Sequence, residues 1–116
     1  MKEKLVRDNI CWMIKEKGEK PNYHIAETPQ EYDSALLNKM IEELEEFRDN
    51  PGIEEAADMY EVWSTILDRW SLDMSAVISF ANKKKKEKGG FFDGYILKIE
   101  SEEENDWDVT PFGEKK

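Results

Sequence analysis

The chain has a single cysteine, Cys11, and a single histidine, His24, and each scarcity closes off a class of chemistry. One cysteine excludes an internal disulfide. The apolar neighbours of Cys11 lead us to expect a small buried side chain in a reducing, cytoplasmic setting. His24 stands in a loop-like stretch with no second ligand at metal-binding spacing, and is expected to be exposed. No zinc pattern, P-loop or nucleophile motif is present. No stretch approaches the roughly 18 apolar residues of a membrane span, and the opening segment Met1-Lys2-Glu3-Lys4-Leu5-Val6-Arg7-Asp8 has no apolar run of the signal-peptide kind. Positive charge is also short. Seventeen basic against 27 acidic side chains give a net charge of −10. That balance argues against nonspecific binding to nucleic acid or to an anionic membrane, both of which select basic surfaces.

What is present reads as helix. At 116 residues the chain is expected to form one domain over residues 1–100, followed by a loosely ordered acidic tail over 101–116. A first helix is predicted from about Asn9 to Lys17, with Asp8 capping its start and Gly18 its end. Thr28, Pro29 and Glu31 form an N-terminal signature: an N-cap, a proline in the first turn and a capping-box acid. The helix they open should run to about Arg48, with Tyr32, Leu36, Met40, Leu44 and Phe47 in one stripe. A third helix, from about Ile53 to Trp70, carries two apolar faces. One holds Ala56, Ala57, Tyr60, Trp63, Leu67 and Trp70, and the other Met59, Val62 and Ile66. Asp73 is placed to cap a fourth helix that stops in a lysine run before Gly89-Gly90. Phe91 to Ile99 has some β character, as a short strand or an extended arm. The fold class expected is all-α, a four-helix arrangement with a short C-terminal strand or arm.

Two acidic clusters fall on the second and third helices. The first is Glu42-Glu43-Leu44-Glu45-Glu46 and the second Glu54-Glu55-Ala56-Ala57-Asp58, with Phe47-Arg48-Asp49-Asn50-Pro51-Gly52-Ile53 between them as a turn-like connection centred on Pro-Gly. Residues three or four apart share a helix face, so Glu43 can point with Glu46, and Glu55 with Asp58. An acidic helix surface is commonly only a solvated face. Glu43, however, lies three after Met40 and four before Phe47, on the apolar stripe, and Glu55 and Asp58 border the stripe of Met59 and Val62. Carboxylates bordering faces that bury are usually paired or bound to a cation. If the helices pack antiparallel, Glu43, Glu46, Glu55 and Asp58 converge. Hard oxygen ligands of this kind suit Mg²⁺, with Mn²⁺ as a substitute. Without a cation, such crowding should raise the pKa of at least one carboxyl.

The pattern Glu42-Glu43-Leu44-Glu45-Glu46 followed by Glu55-Ala56-Ala57-Asp58 resembles the signature of the MazG-like all-α nucleoside triphosphate pyrophosphatases. The likeness extends to the small members related to phosphoribosyl-ATP pyrophosphohydrolase. It is carried also by Lys4-Leu5-Val6-Arg7-Asp8, by Asp58-Met59-Tyr60-Glu61-Val62 and by Lys86-Glu87-Lys88-Gly89-Gly90-Phe91, and covers residues 4 to about 99. Asn9 and Cys11 stand where this opening stretch would be expected to carry Lys and Pro. The resemblance implies a Mg²⁺-dependent hydrolysis of a nucleoside triphosphate, or a related nucleotide such as phosphoribosyl-ATP, to the monophosphate and pyrophosphate. It assigns the metal to Glu43, Glu46, Glu55 and Asp58, and to Glu46 the catalytic handling of the attacking water. It also implies a homodimer or higher homo-oligomer, an expectation shared by the two apolar faces of the third helix.

Beyond the acids, Arg7, Asn82, Lys84 and Lys88 are candidates to contact the nucleotide, Lys84 and Lys88 because they share a helix face. Trp12, Trp63 and Trp70 are read as core or subunit contacts. The alternative function is a noncatalytic acidic helical module that binds a basic protein partner.

Overall fold

The computed structural model describes residues 2–99. It is all-α, with helices α1 (Ile10–Glu16), α2 (Pro29–Asp49), α3 (Ile53–Arg69) and α4 (Met74–Lys88). No strand occurs among the described residues; 94–99 have no regular secondary structure. The tail expected over 101–116 lies outside them.

Local chemistry sets the helix ends. Thr28 Oγ1 accepts the Glu31 amide at 3.0 Å, and Glu31 Oε1 accepts the Glu27 amide at 2.8 Å, so two donors at the start of α2 are satisfied by side chains. The Asp73 carboxylate accepts the Ala76 amide at 3.1 Å and opens α4. α1 closes on Gly18, whose φ of 85° is the left-handed conformation that glycine adopts freely. Its amide reaches Lys15 O at 2.9 Å while the Glu19 amide reaches Ile14 O at 3.2 Å, the paired bonds of a Schellman ending. The start of α1 differs from expectation: Asn9, not Asp8, holds the N-cap position, and it makes no side-chain cap bond. Cys11 is half-buried rather than enclosed, and Trp12 is 60 % exposed, because the short α1 buries no residue fully.

The chain falls into two compact units, divided between Ser71 and Leu72. In the first unit the three-residue link Asn50-Pro51-Gly52 is too short for anything but a reversal, and α2 packs back along α3. The open end of this hairpin is clamped by Arg69 Nε donating to Asp33 Oδ1 at 2.6 Å, with the same guanidinium 5.5 Å from the Tyr32 ring centre. Leu36, Val62 and Ile66 form the buried seam, with Leu5, Tyr32 and Met40 against it. Only the Met59, Val62 and Ile66 face of α3 is turned into this seam. Of the other face Leu67 is buried, while Tyr60, Trp63 and Trp70 remain exposed. The second unit contains α4, whose residues are all exposed or half-buried.

A seam with so few buried side chains is sensitive to each of them. Leu36, 1 % exposed, sits at its centre. Leu36→Ala is expected to cost about 2–5 kcal/mol, and a thermal melt followed by circular dichroism should show the transition lowered or lost.

The loop before α2 is tied down by an ion pair not apparent in the sequence. His24 Nε2 lies 2.6 Å from Glu31 Oε2. The hydrogen bond to Glu31 raises the pKa of His24 above its ordinary value. Glu31 is lowered, first by the Glu27 amide and then by His24. The His24 contribution to stability is therefore complete below the unfolded histidine pKa, near 6.5, and is lost as pH rises through the raised folded value. The Glu31 contribution is lost as pH falls through its lowered folded value, so the pair is strongest at mildly acidic pH. An NMR titration should place His24 above 6.5, and Glu31→Gln should bring it back down. An unshifted His24 would show that the pair does not form.

Candidate metal centre

The hairpin sets the level at which the acids meet. The acids at 42–46 stand on α2 and those at 54–58 on α3, on either side of the Asn50-Pro51-Gly52 link. Both halves of the acidic pattern thus approach the closed end of the same seam.

The side chains converge more narrowly than the spacing suggests. Among the described residues, Glu42, Glu43 and Glu46 form a group of carboxylates able to offer one oxygen each, all within 4.8 Å of one another. Glu55 and Asp58 do not belong to that group. Glu55 bends back to its own helix start, where its Oε2 accepts from Asn50 Nδ2 at 3.5 Å. A carboxylate in the first turn is favoured there by the exposed amides and the helix dipole. Asp58 is held by Arg7, whose Nη2 donates to Oδ1 at 2.7 Å. The structure therefore joins Glu43 and Glu46 as expected. It adds Glu42, and engages Glu55 and Asp58 with neighbours of their own.

Glu43 is the unusual member. It is 4 % exposed, between half-buried Met40 and Phe47, as its position on the apolar stripe implied. Its Oε2 pairs with Lys39 Nζ at 3.1 Å, while its Oε1 is buried with no hydrogen-bond partner. An unsatisfied buried oxygen on an ionised group is costly, on the order of 1–3 kcal/mol or more. Glu46 is exposed and Glu42 half-buried, so the group runs from the seam to solvent.

The fit to a hard divalent cation rests on this donor set: three carboxylates, all oxygen ligands, one with an oxygen already stripped of water and unpaired. Two lysines share the site. Lys4 Nζ donates to Glu42 Oε2 at 3.0 Å, and Lys39 Nζ lies 3.5 Å from Glu42 Oε1. Burial pushes the Glu42 carboxyl up, but the two ammonium groups outweigh it and hold the carboxyl below the usual glutamate value. The pKa of Lys4 is raised, mainly by its bond to Glu42, and Glu46 and Glu43 add to the effect. That of Arg7 is raised by Asp58.

Neither lysine was singled out in the sequence as a partner of these acids. Lys39 had a local signal, since it lies three and four residues before Glu42 and Glu43 on one helix. Lys4 had none, because its partner is 38 residues away. Of the nucleotide candidates, Arg7 is in the first unit against Asp58. Asn82, Lys84 and Lys88 are on α4 in the second, where Lys84 and Lys88 border a surface hollow with Phe91 and Phe92. No helix of the described residues is long and apolar enough to cross a membrane. Compared with protein families, curated proteins and solved structures, the chain gives no match.

Proposed function

We propose that this protein is a Mg²⁺-dependent nucleotide pyrophosphohydrolase, which converts a nucleoside triphosphate, or a related nucleotide such as phosphoribosyl-ATP, to the monophosphate and pyrophosphate. The observation that carries the reading is the unpartnered Oε1 of buried Glu43 inside the Glu42, Glu43 and Glu46 group. The reading is supported by the antiparallel packing of α2 on α3, the condition on which convergence of the acids depended. Glu42, Glu43 and Glu46 would hold Mg²⁺, with Mn²⁺ as a substitute, and Glu55 and Asp58, across the link, are the candidates to complete the set. Bound metal would supply charge neutralisation for the phosphates and polarisation of a water. The protein's own part is to fix that charge. Glu43 is locked by the seam and by Lys39, whereas exposed Glu46 is free to orient a water or accept its proton. Arg7 supplies a guanidinium beside Asp58 that fits a phosphate oxygen. The lone thiol and the nucleotide substrate suit the cytoplasm.

The test is pyrophosphate release from a nucleotide panel with and without Mg²⁺. Release should require the metal. Glu43→Gln and Glu46→Gln should each lower it by at least about 100-fold, and Glu55→Gln and Asp58→Asn should do the same if they complete the set. Glu54→Gln, outside the group, should stay within about twofold. No release from any nucleotide, with all variants alike, would favour the acidic protein-binding module instead.

The same reading includes a homodimer or higher homo-oligomer. Tyr60 and Trp63, 62 % and 42 % exposed, continue along α3 to Trp70. Leu37, Ile41 and Leu44 form a comparable exposed stripe on α2. Contiguous apolar surface of this kind marks association sites. Light scattering at micromolar concentration should give at least twice the chain mass of 13.7 kDa; a monomer would count against the assembly.

A further inference from the structure

Each oxygen of Glu42 is engaged by a different ammonium group, Oε2 by Lys4 at 3.0 Å and Oε1 by Lys39 at 3.5 Å, and Lys39 also holds Glu43 at 3.1 Å. Both oxygens of Glu42 and Oε2 of Glu43 are thus already engaged by tethered cations, while Oε1 of Glu43 is buried and unpaired and exposed Glu46 pairs with neither lysine. A hard dication and an ammonium group compete for the same lone pairs, and the dication carries twice the charge. The two lysines also open onto common space. Lys4, Lys39 and Glu42 line one surface hollow of the first unit, alongside Asn38 and Glu45. Lys39 lines a second hollow with Arg7 and Glu61. It therefore stands between the carboxylates and two recesses, one of which also presents the Arg7 guanidinium.

We propose that Lys39 and Lys4 are exchangeable counter-ions: they neutralise the glutamates in the metal-free protein, yield those oxygens to the divalent cation, and then bind the polyphosphate chain of the substrate. This rests on the reading of the glutamates as a metal centre and adds the residues that receive the phosphates. Displacement leaves two ammonium groups without their carboxylates, at the edge of hollows large enough to admit solvent, and a metal-bound polyphosphate is the anion that comes to that place. The exchange couples the two binding events. Metal frees the lysines for phosphate, and phosphate holds them away from the metal ligands. It also accounts for how a chain of net charge −10 attracts an anion: the local positive charge is held in reserve against its own acids until the metal arrives.

The full chain tests this directly. Mn²⁺ binding is measured by EPR of the free ion. Binding of inorganic tripolyphosphate is measured at saturating Mg²⁺ by ³¹P NMR, and circular dichroism verifies the fold. Lys39→Gln should tighten Mn²⁺ by at least roughly fivefold and weaken tripolyphosphate by at least as much, while Lys39→Arg should restore the phosphate affinity. Lys4→Gln, on the exposed N-terminal segment, should act in the same directions and serves if Lys39→Gln fails to fold. If the wild type binds Mn²⁺ and neither glutamine variant binds it more tightly, the exchange is overturned while the metal centre stands. If Mn²⁺ tightens and tripolyphosphate is unaffected, the phosphate role is overturned. Absence of Mn²⁺ binding in the wild type and both variants would overturn the exchange together with the metal centre.

Discussion

A carboxylate is buried in the seam between two helices, and the arrangement of charge in the first unit follows from it. Glu43 occupies a position on α2 that the helical period turns toward α3, between Met40 and Phe47. An ionised group there needs a counter-charge, because desolvating a carboxylate costs several kcal/mol. Lys39, one turn back on the same helix, supplies it to one oxygen and leaves the other without a partner. Glu42 shares that lysine and recruits Lys4 from the N-terminal segment. The alternation of acid and base is therefore a local electrostatic solution to one buried charge.

The N-terminal segment is shaped by the same demand. Residues 2–7 have no helix or strand of their own. They are held over the hairpin by Leu5, which packs on the seam, and by Lys4 and Arg7, which reach one acid on each helix, Glu42 and Asp58. Exposed ion pairs of this type contribute little each. Their effect here is positional: they set two cations beside the acidic clusters without a regular element to carry them.

The helix limits were legible in the sequence because they depend on near neighbours. Thr28 with Glu31, Asp73 with Ala76, and glycines 18 and 89 act over four residues or fewer, so their chemistry can be read in order. The exception, Asp8, shows the limit of such reading: a good capping residue was present, but the first turn starts one residue later. In the site, the inward position of Glu43 was legible from its spacing, and Lys39 was legible in principle as its neighbour on the helix surface. His24 had a readable neighbour in Glu31 only if the path of the loop was known, since seven residues of irregular chain and helix start separate them.

The sequence by itself determined that the chain is helical, where α2, α3 and α4 begin and end, and that the acids at 43 and 46 share a face. All of these follow from the 3.6-residue period and from hydrogen bonds within one turn. Tertiary structure decided which acids share a centre and which cations answer them. Glu42 lies on the same side of α2 as Glu46 by helical spacing, but only the fold gave it Lys4, 38 residues away, and sent Asp58 to Arg7, 51 residues away in sequence. It also decided which apolar face of α3 entered the seam, leaving Tyr60 and Trp63 outside. A helical period fixes the direction of a side chain about its own axis. The partner it meets depends on the rotation and register of a second helix and on the path of the chain between them, and no local pattern encodes those.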